Sequence, residues 1–92
     1  MATAPRPAST ESQARRYHLL RLRDELGRRG IPVRVVKGRR GRLMLKLASE
    51  SVLCAGAEGV YAHVTRNGRN LAPASDEGLL AATRHLAQGA HR

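Results

Sequence analysis

Apolar residues recur at Leu19, Leu22 and Leu26, a spacing of three and then four that lines one face of a helix. Tyr17 and Leu20 flank this stripe, and most of the intervening positions are arginine. A helix is predicted from Thr10 or Ser12, either of which can cap it, to about Arg29, where Gly30 and Pro32 supply the stop. Arg21 with Glu25 and Asp24 with Arg28 stand four apart and are expected to pair on its surface.

The period then changes to two. Ile31, Val33 and Val35, and again Leu43, Leu45 and Leu47, alternate with other residues as in half-buried strands. They should face the core and leave Arg34, Val36, Arg42, Met44 and Lys46 on the opposite side. Gly38-Arg39-Arg40-Gly41 joins the two as a hairpin loop. Residues 51–55 and 59–65 read as a second hairpin around Gly56-Ala57-Glu58-Gly59. After the Asn67-Gly68 turn, a connection runs through Leu71 and Pro73 to Ser75, a good N-cap followed by Asp76 and Glu77. The second helix carries Leu79, Ala82, Thr83 and Leu86 on one face and ends near Gln88-Gly89.

The order α-β-β-β-β-α predicts a single small α+β domain over residues 12–89, an antiparallel sheet with two helices packed on one face. A disordered tail, residues 1–11, should precede it, and a short tail, residues 90–92, should follow.

Composition adds constraints. With 92 residues, no Phe or Trp and two Tyr, the core must be filled by Leu, Val, Ile and Ala, so stability should be modest. The lone Cys54 offers neither an intramolecular disulfide nor a start to a zinc site, which suits a reducing compartment. No apolar run is long enough for a secretory signal or a membrane span, and a cytoplasmic location is expected.

Charge is the most informative feature. Residues 1–46 hold 13 Lys/Arg against Glu11, Asp24 and Glu25, a net of +10, whereas residues 47–92 hold 4 against 4. A cationic half of this kind attracts polyanions. Arginine outnumbers lysine 15 to 2; a codon bias favouring arginine would account for that ratio but not for the excess over acids.

The loop at residues 38–41 resembles three known devices and matches none of them. Gly-x-x-Gly is the clamp of a KH domain, but there it joins helices, and here strands. Arg-Gly-Arg resembles an AT-hook, which continues with proline, whereas Leu43 begins a strand. A P-loop ends in Gly-Lys-Ser/Thr, and this segment reads Gly41-Arg42-Leu43. The turn reading wins, with Arg39 and Arg40 at an exposed tip. An α-β-β-β-α core similar to a double-stranded RNA binding domain is also present, but where that family needs lysines this chain has Pro73-Ala74-Ser75-Asp76-Glu77. An RRM would need stacking aromatics on its sheet.

Nothing here speaks for catalysis. His18, His63, His85 and His91 lack metal-ligand spacing, and no carboxylate pair stands out. Tyr61 and His63 share one strand face as a partly buried sheet surface, and Cys54 reads as a small buried hydrophobe. Neighbouring arginines disfavour a proton on His18.

The expectation is a small basic non-enzymatic module, without cofactor, metal or small-molecule substrate, that binds DNA or RNA through phosphates. The candidate contacts are Arg15, Arg16, Arg23, Arg34, Arg39, Arg40, Arg42 and Lys46. The alternative is a protein interaction module, a homodimer or an adaptor for an acidic partner, with Val36 and Met44 in the interface. Adsorption to an anionic membrane surface ranks third, because the single leucine stripe of the first helix is needed to close the core.

Overall fold

The computed structural model describes residues 7–38, 41–48 and 50–90, with side chains from Glu11 to Gly89 within those limits. The first helix, α1 (Pro7–Arg28), begins earlier than Thr10 or Ser12. Proline is well tolerated in a first turn, where its missing N–H has no intrahelical acceptor to lose. The helix closes where Ile31 N–H donates to the Leu26 carbonyl at 3.0 Å, and Pro32 follows. Of the expected N-terminal tail, residues 1–6 lie outside the described residues, as do residues 91–92 at the other end.

Five antiparallel strands follow in the spatial order of the chain: β1 (Arg34–Lys37), β2 (Leu43–Lys46), β3 (Ser51–Ala57), β4 (Val60–Thr65) and β5 (Asn70–Pro73). The last helix is α2 (Asp76–Ala90). The α+β class, with both helices on one face of an antiparallel sheet, is as the periodicity predicts. One element exceeds it: the connection through Leu71 and Pro73 forms β5, an edge strand paired with β4 through an irregularity at His63/Val64. Four residues ending in proline are too few to show alternation, and proline is admissible at a sheet edge.

The β3–β4 connection is a two-residue turn, with Glu58 at φ 54° and Gly59 at φ 83°, matching the twist that tight hairpins prefer. Gly56, at φ 120°, must be glycine because a β-carbon there would run into the Val60 carbonyl. Gly78 N–H donates to the Ser75 hydroxyl at 3.1 Å, the predicted N-cap. A side chain at Gly78 would strike the Pro73 carbonyl, so the start of α2 can lie directly on β5.

The core lies between the helices and one sheet face. Leu19, Leu22 and Leu26 of α1 meet Leu45, Val52 and Cys54 beneath them, while Ala82, Thr83 and Leu86 of α2 cover the β5 side. Ile31, Leu45 and Leu47 are buried and Val33 and Leu43 partly so, as their alternation predicts. Val35 shares that face, opposite Leu45, yet is 38% exposed because β1 is an edge strand beyond the reach of the helices. Among the described residues no helix is long and apolar enough to cross a membrane.

Candidate functional site

The β2–β3 ladder is short. Only Leu45↔Val52 and Lys46↔Ser51 are in register, closed by Leu47 N–H to the Glu50 carbonyl at 2.9 Å. Towards the β1–β2 turn the two strands part. A cleft of about 970 Å³ opens between them and beneath the middle turns of α1, Ser12 to Leu19. Ser12, Arg15, Arg16 and Leu19 line it from the helix, at spacings that put them on one face. Lys37, Arg42, Leu43 and Met44 line it from the first hairpin, and Leu53, Cys54 and Arg66 from the second. Strand parity assigns Lys37, Leu43 and Cys54 to the helix-covered face, and Met44 and Leu53 to the open one. The cleft therefore runs through the gap in the sheet.

Among the described residues, five that line it are cationic and none is a carboxylate. Arg16, Lys37, Arg42 and Arg66 are exposed. Arg15 also serves the sheet, since its Nη1 donates to the Gly56 carbonyl at 2.9 Å. The carboxylate nearest along the helix, Glu11, accepts from the Glu58 N–H at 2.9 Å. Together these two side chains bond the far end of β3 and its turn, beyond the reach of β2. The cysteine in the cleft is inert: Cys54 is 3% exposed, and burial pushes its thiol up to about 11 despite the nearby Arg15.

The rest of α1 is neutralised. Arg21 Nη2 reaches Asp76 at 2.8 Å, Arg23 holds Asp24 Oδ1 through Nε at 3.1 Å and Nη2 at 2.9 Å, and Arg28 approaches Glu25 at 3.6 Å. These pairs replace the expected Arg21–Glu25 and Asp24–Arg28. The fold sets Asp76, in the first turn of α2, beside Arg21, and no spacing within α1 reveals that.

Of the candidate contacts, Arg15, Arg16 and Arg42 come together in the cleft. Arg34 and Lys46 face each other across β1 and β2 on the open sheet face, so they form a separate group. Arg23 is tied to Asp24, and Arg39 and Arg40 lie outside the described residues. Val36 pairs with Met44 on the open face as expected, and Met44 also reaches the cleft. Lys37 and Arg66 are not among the contacts expected from the sequence. Lys37 shares parity with Val33 and Val35, a signal that places it on the helix side near Arg15 and Arg16. Arg66 had no signal, because its place depends on the parting of β2 from β3.

His63 is 1% exposed in the core, not part of a sheet surface, and its Nδ1 has no hydrogen-bond partner among the described residues. Burial, then the charges of His18 and Arg21, holds its pKa down to about 4. His18 is lowered in the same way, by burial first and Arg21 second, and its ring packs 5.5 Å from that of Tyr61. No group of three or more His, Cys, Asp or Glu suited to a metal ion occurs among the described residues. Comparison with protein-family models, with curated proteins and with solved structures finds no match to this chain.

Proposed function

We propose that this chain is a small non-enzymatic module that binds nucleic acid through its phosphates, with the cleft between α1 and the parted strands as the contact surface. The observation that carries this reading is the lining of that cleft: Arg15, Arg16, Lys37, Arg42 and Arg66 converge on it, with no carboxylate among the described residues that form it. Guanidinium and ammonium groups so placed suit phosphate oxygens, which fix position without reading sequence. Among the described residues the cleft has no aromatic lining, so stacking on bases does not enter this reading. A reducing, cytoplasmic setting suits the free, buried Cys54.

Counterion release sets the test. If all five cations each neutralise one phosphate of duplex DNA, log affinity falls with log salt at a slope of about −4.5. Affinity then drops about 500-fold between about 50 and 200 mM salt. Titration of a fluorescent duplex over that range measures the slope. Weak binding that ignores salt would overturn the proposal.

A further inference from the structure

The uncovered face of the sheet has an inverted polarity. In the β3–β4 hairpin the polar His63 and Thr65 lie on the helix-covered face and are buried. The outward positions Leu53, Ala55, Ala57, Val60, Ala62 and Val64 are all apolar. A sheet face left to water ordinarily carries polar residues at such positions. Val60 stands 78% exposed.

The register sorts the open face into strips that run across the strands. Val36 lies opposite Met44, and Leu53 opposite Val64, two apolar pairs in one line on either side of the gap between β2 and β3. On one side Ala55 and Ala62 face each other, with Pro73 beyond, so a partner backbone can come close. On the other side runs a polar row: Arg34 opposite Lys46, then Ser51 beside Arg66, whose N–H donates to the Ser51 carbonyl at 3.0 Å. None of the registered positions on this face is acidic.

We propose that this face docks an acidic amphipathic segment of another protein. Its apolar stripe would cover the row Val36, Met44, Leu53 and Val64, and its carboxylates would meet Arg34, Lys46 and Arg66. Charge complementarity selects this occupant. A second copy would bring together two chains that each carry a formal +10, and self-repulsion of that size opposes association. An apolar row bordered by cations on one side matches a segment with carboxylates along one flank of its hydrophobic stripe.

The face shares Met44, Leu53 and Arg66 with the cleft, and the test keeps the two bindings apart. The full chain is titrated with a designed helical peptide whose leucine stripe is flanked by glutamates, and separately with the same peptide carrying lysines instead. Amide NMR shifts are read at Val36, Met44, Leu53 and Val64. The glutamate peptide should shift these four amides and the lysine peptide should not. Arg34→Glu with Lys46→Glu, both at exposed sites, should weaken peptide binding by about tenfold and leave unchanged the salt slope of duplex binding, which the cleft cations set. Arg16→Ala with Lys37→Ala should keep peptide binding. Val64→Ser should also weaken it, with thermal melting to show that this variant folds. The proposal fails if the glutamate peptide leaves the four amides unmoved, or if both peptides bind alike. It fails equally if sedimentation shows a dimer that Val64→Ser dissociates, since the face would then belong to a second copy.

Discussion

The two ends of α1 carry similar charge and put it to different use. Near its start, Arg15 and Arg16 face a cleft with no carboxylate among its described residues. Further along, Arg21, Arg23 and Arg28 are held by Asp76, Asp24 and Glu25. One end directs its field outward, into the cleft. The other directs it inward, where Arg21 bridges the two helices and adds to the burial that chiefly lowers His18 and His63. A count of arginines along the sequence cannot separate the two, because what matters is where the fold delivers the acids.

The inward end makes the largest prediction. His63 has a folded pKa near 4 against an ordinary 6.5, so the folded state favours the neutral ring. As pH falls through 6.5 the unfolded chain takes up a proton that the folded chain refuses. Stability is therefore complete above that value and declines towards pH 4, by about 3 kcal/mol across the window. His18, shifted in the same direction, adds to the slope. Urea unfolding at several pH values measures it, and His63→Leu should flatten the curve relative to the parent. An unchanged slope in that variant would remove the inward role.

The outward end is tested by removing its free cations. Arg16→Ala, Lys37→Ala and Arg42→Ala together should reduce the salt slope for duplex DNA from about −4.5 to about −1.8. Arg15 is left in place because it holds the Gly56 carbonyl. Arg23→Ala with Arg28→Ala should leave the slope where it was. Equal losses from both sets would mean that net charge, not the cleft, governs binding.

The smallest effect sharpens the comparison from the other side. Asp76→Asn releases Arg21 from its 2.8 Å contact and adds one free cation on the inward flank. Duplex affinity at low salt should rise by about twofold or less, since exposed pairs are weak and screened. Fluorescence titration against the parent chain reads the change.

What could be read from the sequence follows physical range. Leu19, Leu22 and Leu26, and the alternation through Ile31 to Leu47, are local periodic signals, and burial follows them closely. Ser75 works as a cap because its partner, Gly78, is three residues away. The fifth strand was invisible because its pairing depends on β4 rather than on any pattern of its own. The candidate site divided along the same line. Arg15, Arg16 and Arg42 met because α1 and the first hairpin pack together, whereas Arg34 and Lys46 were carried by parity to the other face. Arg66 joined them only through the gap in the β2–β3 ladder.

The contact from Arg15 to the Gly56 carbonyl has a consequence for binding. The guanidinium that would greet a phosphate also serves as a shutter over bare main chain. A ligand that drew it away would strip the Gly56 carbonyl of that donor, so occupancy and the integrity of this strand end would be coupled.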